Sequence, residues 1–324
     1  MKVVVTGGAG YIGSHAAKAL RDQGYEPVVI DNLERGHEWA VQFGPLVKLD
    51  IRQTGLLAKA LAEIKPVAVM HFAALALVAE SVEKPELYYD NNVGGTLSLL
   101  NAMNSAGVKN LIFSSTCATY QPHEKPFTES DLQQPVNPYG ASKLMAEQVI
   151  RDFSLAHEMN YQFLRYFNVA GSDSEGLIGE AHEPETHIIP LLLQTAAGKR
   201  DAFTLFGSDY PTPDGTCVRD YIHVEDLITA HFLAMKRSLD GGTSEAFNLS
   251  LNQGYSNKQV VESVRKRAGV EFPVQMGDRR PGDPAQLIGD SAKARELLSW
   301  KPEHDLDSMI DSAWKWFQSY QIGS

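Results

Sequence analysis

Short apolar runs rich in Val and Ile recur through the first half of the chain, and a segment with helical spacing of apolar positions follows each one. The runs that predict strands cover residues 2–6, 25–31, 67–72, 111–115 and 161–166. Strands that alternate with helices indicate a parallel sheet covered on both faces, because a parallel connection must be long enough to hold a helix. The sequence therefore predicts an α/β fold with a doubly wound parallel sheet through about residue 170.

The regular alternation ends after Asn168, where Gly and Pro become frequent, as in residues 209–215 and 279–284. These are turn signals, and they predict a smaller mixed α/β domain over residues 171–324. A strand-to-helix unit over 221–237 and an apolar run over 245–251 indicate that a segment of about 219–251 rejoins the first sheet. Residues 306–320 predict an amphipathic closing helix with Trp314 and Phe317 facing inward.

Composition narrows the class of partner. The chain is 43% hydrophobic with a formal net charge of −11, which disfavours nucleic acid and anionic membrane surfaces. The longest apolar stretch, residues 67–79, is interrupted by His71 and falls short of the roughly 18 residues that span a membrane. The chain opens directly on a predicted strand, and it has only two cysteines, so a cytoplasmic protein without disulfides is expected. The ten histidines show no His-x-x-x-His spacing, and no metal site is predicted.

A glycine-rich turn follows the first strand at residues 6–13 and leads into a predicted helix over 14–23. Gly7 permits the tight turn, Gly10 lets a pyrophosphate approach the backbone, and Gly13 lets the helix lie close to the strand. The helix N-terminus directs free N–H groups at the phosphates. An ordinary tight turn is the alternative, but the placement between strand and helix favours a Rossmann-type dinucleotide site.

Two acidic residues at predicted strand ends extend this interpretation. Asp31, followed by Asn32, can accept hydrogen bonds from the adenosine ribose and would repel a 2′-phosphate, which favours NAD over NADP. A plain turn aspartate is the alternative. Asp50, followed by Ile51, is a candidate for the adenine amino group, with a simple helix cap as the alternative.

Tyr139 and Lys143 lie four residues apart at the start of a predicted helix, so both side chains project from one face. A phenol has an ordinary pKa near 10, and a nearby ammonium favours its ionised form, which suits a general base. Taken alone, the pair also describes a surface tyrosine beside a solvated lysine. The strand that ends at Ser114, Ser115 and Thr116 favours chemistry, because the carboxyl ends of parallel strands face the ligand crevice.

With these motifs the chain resembles the extended short-chain dehydrogenase/reductase family, and within it the UDP-glucose 4-epimerase branch. The resemblance extends over essentially the full chain. It rests on the turn at 6–13, Asp31-Asn32, the segment 71–74, residues 88–92, the Tyr-x-x-x-Lys pair with the preceding 137–138, residues 165–168 and residues 218–224.

The resemblance implies specific roles by position. Tyr139 is the expected base, Lys143 its electrostatic partner and Thr116 the catalytic hydroxyl. The expected NAD contacts are Gly7, Gly10, Tyr11, Ile12, Gly13, Asp31, Asn32, Asp50, Ile51, Phe72, Ala73, Ala74, Leu75, Asn91, Ser114, Tyr139, Lys143 and Phe167. The expected nucleotide-sugar contacts are Thr116, Asn168, His187, Ile188, Leu205, Phe206, Arg219, Arg280 and Asp283. The arginines suit pyrophosphate oxygens, although ordinary surface ion pairs are the alternative.

The activity implied is interconversion of UDP-galactose and UDP-glucose through a 4-keto intermediate, with transient hydride transfer to bound NAD, in a homodimer. Cys117-Ala118-Thr119 follows Thr116 without an acidic pair, which argues against a dehydratase or decarboxylase. An epimerase for another UDP-sugar (N-acetylglucosamine, a pentose or a uronate) is the near alternative, and a non-catalytic NAD sensor the distant one. Gln121, Ala76 and Gly94 depart from common family residues, which leaves loop geometry and the strength of NAD binding open.

Overall fold

The chain folds around a long parallel sheet in a computed structural model that describes residues 1–280 and 283–322, the side chains of 321 and 322 excepted. The strands are β1 (Lys2–Thr6), β2 (Glu26–Asp31), β3 (Leu46–Lys48), β4 (Ala68–His71), β5 (Asn110–Thr116), β6 (Asn160–Tyr166), β7 (Asn168–Ala170), β8 (Phe203–Phe206), β9 (Val218–His223), β10 (Glu245–Leu249), β11 (Gly254–Ser256), β12 (Val274–Gly277) and β13 (Gln286–Leu287).

Seven strands form the main sheet in the order β10-β6-β5-β4-β1-β2-β3, and each pairing is parallel. The strand order reverses direction at β1, between β4 and β2, which is the topological switch point of a doubly wound sheet. The predicted α/β class and the Rossmann-type doubly wound sheet are confirmed.

Helices cover both faces of the main sheet and build the remainder of the chain. They are α1 (Tyr11–Asp22), α2 (Thr54–Ile64), α3 (Val78–Glu83), α4 (Pro85–Tyr88), α5 (Gly95–Ser105), α6 (Pro138–His157), α7 (Ile188–Ala196), α8 (Val224–Leu239), α9 (Asn257–Ala268), α10 (Ala292–Leu298) and α11 (Leu306–Ile322). A π-helical turn, Tyr89–Gly94, joins α4 to α5, and a 3₁₀ turn, Cys117–Thr119, follows β5.

Alternation along the strands divides the core into two layers. Val3 and Val5 pack into one cluster, with Leu20 of α1 and Leu227 of α8, while Val4 packs into the opposite cluster with residues of α2, α5 and α6. Successive side chains of a strand point to opposite faces, so a run of three buried valines requires helices on both sides. The main sheet is thereby held rigid, with its carboxyl edge open for a ligand.

The second part of the chain has its own small sheets and its own core. β9 pairs with β7, β11 and β13, and β8 pairs with β12. Within the segment 219–251, β10 lies at the edge of the main sheet beside β6, whereas β9 belongs to the smaller sheet. The division at residue 170 stays a prediction. In α11, Trp316 and Phe317 are buried and Trp314 only partly, so the predicted inward face is rotated by part of a turn.

No helix in the described ranges is both long and apolar enough to cross a bilayer.

Candidate active site

The glycine-rich turn has the backbone geometry that its sequence predicts. Gly7 adopts φ +72°, in the left-handed region that favours glycine. A Cβ on Gly13 would lie 2.2 Å from the Gly7 carbonyl oxygen, so only glycine lets α1 approach the turn this closely. A Cβ on Gly10 would meet only the Gly7 carbonyl oxygen, at 3.4 Å, and no side chain caps the N-terminus of α1. An open backbone beside an uncapped helix end fits a pyrophosphate.

Asp31 closes β2 immediately beside this turn. Its carboxylate accepts from the backbone N–H of Ala9 at 3.0 Å and of Leu33 at 2.8 Å. Burial raises the pKa of Asp31 despite these two hydrogen bonds. A nearly buried carboxylate fixed by the turn itself suits two ribose hydroxyl donors and disfavours a further phosphate.

Asp50 is tied to its own loop. Its carboxylate accepts from Arg52 Nε at 3.0 Å and from Asn32 Nδ2 at 3.2 Å, and the Arg52 guanidinium lowers the pKa of Asp50 to about 2. The N-cap of α2 is Gln53, so the helix-cap alternative for Asp50 is wrong. Ile51 is buried in the core, which leaves only its backbone available to a cofactor. The adenine contact stays a prediction.

Asn92, which the sequence analysis did not single out, organises the loop after β4. Its side-chain amide accepts from Leu75 N–H at 2.8 Å, donates to the Leu75 carbonyl at 3.0 Å and donates to Ser142 Oγ at 3.0 Å. Asn91 Nδ2 donates to the Asn92 side chain at 3.0 Å. One buried amide thus joins the segment Phe72, Ala73, Ala74 and Leu75 to α6. In the sequence, only its position next to Asn91 could have pointed to Asn92.

Tyr139 and Thr116 come from different elements that meet through their backbones. β5 ends at Thr116, whose hydroxyl oxygen accepts from Ala118 N–H at 3.1 Å and starts the 3₁₀ turn. Asn137 caps α6 by accepting from Gly140 N–H at 2.8 Å. A Cβ on Gly140 would lie 2.2 Å from the Ala118 carbonyl oxygen, so the first turn of α6 rests directly on the 3₁₀ turn.

The electrostatics of the pair follow from burial. Burial raises the pKa of Tyr139, and a hydrogen bond with Thr116 opposes that rise. Lys143 is only 3% exposed, so the alternative of a solvated lysine is wrong. Its Nζ donates to the Ser114 carbonyl at 2.7 Å and lies 4.7 Å from the centre of the Phe113 ring. Burial lowers the pKa of Lys143 to about 7. Thr116, Tyr139 and Lys143 therefore lie together at the carboxyl end of β5, and the lowered pKa of Lys143 lets it exchange a proton near neutral pH.

A buried ion pair behind this pocket was not predicted. Arg165 of β6 donates to both carboxylate oxygens of Glu147 on α6, at 2.8 and 2.6 Å. Ser115 Oγ donates to the same carboxylate at 2.6 Å, and Arg165 reaches Tyr120 Oη at 2.9 Å. Although burial opposes it, the Arg165 guanidinium keeps the pKa of Glu147 below its usual range. The pair fixes α6 against β5 and β6, which carry the site.

Four of the expected nucleotide-sugar residues in the second part of the chain form two contacting pairs. Arg219 donates to the Asp283 carboxylate and, at 2.8 Å, to the Val218 carbonyl. The Arg280 guanidinium lies 4.3 Å from the centre of the Phe206 ring, in cation–π contact. The side chain of Arg219 is only 11% exposed, so its pairing with Asp283 is not an ordinary surface ion pair. Arg219 is thus held by two neighbours, whereas Arg280 is exposed beside Phe206.

The other expected sugar contacts lie on separate elements. Asn168 opens β7 opposite Tyr221 of β9 and is exposed. His187 precedes α7, and its Nδ1 contacts Glu180. Leu205 is buried in the second core, so only its backbone is available to a ligand. Ile188 packs against the same core, and Phe167 packs on Phe127 with ring centres 6.2 Å apart. The contact roles of these residues stay predictions.

The doubly wound sheet, the open glycine turn and the Tyr-x-x-x-Lys pair with its buried lysine define a Rossmann-type dinucleotide-dependent enzyme. A profile of the NAD dependent epimerase/dehydratase family matches residues 3–250, and the chain belongs to this family. The UDP-glucose 4-epimerase of Lactobacillus helveticus is 51% identical over 100% of this chain and 99% of its own length.

Two solved structures are similar over nearly the whole chain. The Brucella ovis UDP-glucose 4-epimerase in complex with NAD is 48% identical, with a TM-score of 0.94 and 97% of each chain covered. The Bifidobacterium longum UDP-glucose 4-epimerase in complex with NAD⁺ and UDP is 37% identical, with a TM-score of 0.94 and 100% of each chain covered. The likeness therefore covers both parts of the fold.

Proposed function

We propose that this enzyme interconverts UDP-galactose and UDP-glucose through a 4-keto sugar, with residues 1–170 holding NAD and residues 171–324 holding the nucleotide. The observation that carries the proposal is the convergence of Thr116, Tyr139 and the buried Lys143 at the carboxyl end of β5. The three similar proteins described above are UDP-glucose 4-epimerases by name, which supports the substrate.

The residues present fit NAD. The uncapped N-terminus of α1 and the open side of Gly10 would take the pyrophosphate, and Asp31 the adenosine ribose. When bound, NAD supplies an acceptor for the hydride at C4 of the sugar and a donor for its return. Lys143, whose Nζ donates to the Ser114 carbonyl near the carboxyl end of β5, would hold the nicotinamide ribose.

Tyr139 moves the proton in this proposal. Its phenolate takes the proton of the sugar 4-hydroxyl, and the resulting phenol later returns that proton to the same oxygen once hydride has returned to the opposite face of the sugar. Burial raises the phenol pKa and a hydrogen bond with Thr116 opposes that rise. The positive charge of protonated Lys143 would further favour the phenolate. Lys143 has its pKa lowered to about 7, and it is thus able to lose and regain charge near neutral pH.

Ionic contacts and hydrogen bonds would hold the nucleotide half of the substrate while the sugar rotates. Arg219 and Arg280 offer guanidinium groups to the pyrophosphate, and Asp283 an acceptor for a ribose hydroxyl. Asn168 and His187 would complete this contact set. Because the nucleotide supplies most of the binding, a flat 4-keto sugar is free to rotate and present its other face. Inversion without net oxidation follows.

The turn after Thr116 favours epimerisation over elimination. Burial raises the pKa of the Cys117 thiol to about 12, so it stays protonated, and Ala118 and Thr119 offer no general base. Elimination of water from a 4-keto sugar needs an additional acid and base beside the hydroxyl donor. The direct neighbours of Thr116 supply neither group.

The decisive experiment follows four UDP-sugars by NMR of the anomeric proton. Purified enzyme, with and without added NAD, is given UDP-galactose, UDP-N-acetylgalactosamine, UDP-xylose or UDP-glucuronate. Conversion of UDP-galactose to UDP-glucose supports the proposal. If UDP-galactose stays unchanged with NAD present, the proposal fails, and turnover of one of the other three selects that epimerase instead.

A tyrosine variant tests the assigned base. Tyr139→Phe keeps the ring and removes the proton-transfer group, so kcat should fall by about 10² to 10⁴ with NAD still bound. Tyr161→Phe removes a hydroxyl from a partly buried tyrosine stacked on Phe163 and serves as the matched control. Full activity of Tyr139→Phe would remove Tyr139 from its role.

We further propose a cytoplasmic homodimer. Leu97 on α5 is exposed, as are Met145 and Leu155 on α6, with Leu155 86% exposed. These two helices pack on each other and place apolar side chains on the outside.

The free thiols Cys117 and Cys217 are typical of a reducing compartment. Light scattering should give twice the chain mass, falling to one chain mass in Leu97→Glu/Leu155→Glu, and fractionation should find the protein in the cytosol.

A further inference from the structure

Two histidines and two glutamates converge in the loop before α7. Glu180, His182, Glu185 and His187 each contribute one nitrogen or oxygen atom, and these four atoms lie within 4.8 Å of one another. The side chains of Glu180 and Glu185 are each only 7% exposed. Two carboxylates buried this far need positive charge beside them, because an unpaired buried charge costs several kcal/mol. Neither glutamate has a role in the proposed reaction.

Two of the distances within this cluster match those between ligands that share one ion. His182 Nδ1 lies 3.3 Å from Glu180 Oε1 and 3.5 Å from Glu185 Oε2. This nitrogen is buried without a hydrogen-bond partner among the described residues. Ligand bonds of about 2.1 Å around tetrahedral Zn²⁺ give ligand-to-ligand distances of about 3.4 Å. His187 Nδ1 contacts Glu180 from the other side.

Glu185 is already oriented for such a role. Its Oε1 accepts from Thr186 N–H at 2.7 Å and from His187 N–H at 2.8 Å. These two bonds fix the carboxylate and leave Oε2 directed at His182. Hydrogen bonds that hold a ligand in place are the usual support of a metal site.

We propose that Glu180, His182, Glu185 and His187 bind one divalent transition-metal ion, with Zn²⁺ the best fit. Two imidazole nitrogens and two carboxylate oxygens are a donor set for Zn²⁺ and its neighbours in the first transition row. Ca²⁺ prefers six to eight oxygen ligands and Mg²⁺ prefers octahedral oxygen, and the histidines suit neither.

The ion would connect the phosphate-binding turn to the start of α7. The Tyr11 ring lies edge-on to His182, with ring centres 6.3 Å apart. His37 Nε2 hydrogen-bonds the Ala181 carbonyl at 2.9 Å. His187 is the residue before α7. The metal is thus a structural link between two parts of the expected site and takes no part in the chemistry.

The test uses the NAD-loaded enzyme after dialysis against a chelator. Titration calorimetry with Zn²⁺ should show saturable binding to one site per chain. Co²⁺ should give the intense visible absorption of a tetrahedral complex. Absence of saturable Zn²⁺ binding, or the weak spectrum of octahedral Co²⁺, overturns the proposal on the unmutated enzyme alone.

Variants assign the binding to the cluster. His182→Asn and Glu185→Gln should each weaken Zn²⁺ binding at least about tenfold. His157→Asn, at the end of α6, is the matched control and should bind as the parent does. His304→Asn tests the second group of potential ligands, His223, Glu225 and His304. Binding that persists in His182→Asn and disappears in His304→Asn overturns the proposal.

Discussion

Replacing Glu147 by glutamine should destabilise the enzyme through the buried ion pair. The carboxylate is fully buried and accepts from Arg165, Ser115 and Arg151, the last at 2.8 Å. A glutamine offers one acceptor oxygen, and its amide nitrogen is a donor that faces other donors. The Arg165 guanidinium, 2% exposed, would keep its charge without a counter-ion.

The expected loss in the free energy of unfolding is large for the replacement of one carboxylate by an amide. Removing one partner of a buried pair costs about 3–5 kcal/mol, which is more than a hundredfold in the unfolding equilibrium. Glu158→Gln makes the same chemical change at the exposed end of α6 and should stay within about 0.5 kcal/mol of the parent. The double variant Glu147→Leu/Arg165→Met leaves no fully buried charge unpaired, because Arg151 is 29% exposed, and it should recover much of the loss.

Urea unfolding at pH 7 and a fixed excess of NAD measures the difference. Fixed NAD is needed because a bound ligand adds to apparent stability by mass action. With a slope of about 3 kcal/mol per molar urea, a loss of 3 kcal/mol lowers the midpoint by about 1 M. If Glu147→Gln and Glu158→Gln unfold at the same midpoint, the ion pair does not stabilise this fold.

Three further changes test the cofactor turn and the catalytic lysine. Gly13→Ala should weaken NAD binding at least tenfold in a fluorescence titration, since its Cβ would meet backbone at 2.2 Å, whereas Gly55→Ala, with open space around it, should not. Asp31→Ser should lower the preference for NAD over NADP in competition binding, and an unchanged ratio would contradict its role. Because the pKa of Lys143 is lowered from 10.5 to about 7, the unfolded NAD-free chain binds more protons above pH 7. The stability of the parent relative to Lys143→Met should therefore rise by about 1.4 kcal/mol per pH unit between pH 7 and 9; a flat difference in urea unfolding would show that Lys143 titrates normally.

Features encoded within a few residues were predictable from the sequence. The glycine turn and Asp31 each depend on one strand and the turn that follows it, and the parallel direction of the strands follows from connections long enough to hold a helix. Where Tyr139 lies was predictable too, because a helix start and a strand end converge at the carboxyl edge of a parallel sheet.

Features that depend on tertiary pairing were not predictable. Glu147 and Arg165 are ordinary charged residues in sequence, and only the packing of α6 on β6 buries them against each other. In sequence, Asn92 is only the neighbour of the expected NAD contact Asn91, yet its side chain joins the loop after β4 to α6. In α11, Trp316 is buried and Trp314 is only partly buried, because the face of a helix that points inward depends on the surface on which the helix packs.

The direct backbone contact between α6 and the 3₁₀ turn has a consequence for redesign of the site. Gly140 meets the main-chain oxygen of Ala118, so the spacing between Thr116 and Tyr139 is set by atoms that every amino acid shares. Combinatorial libraries that randomise the side chains of residues 117–119 should therefore alter which sugars fit while leaving the reacting groups in register. Libraries that vary residue 140 should yield almost exclusively inactive clones.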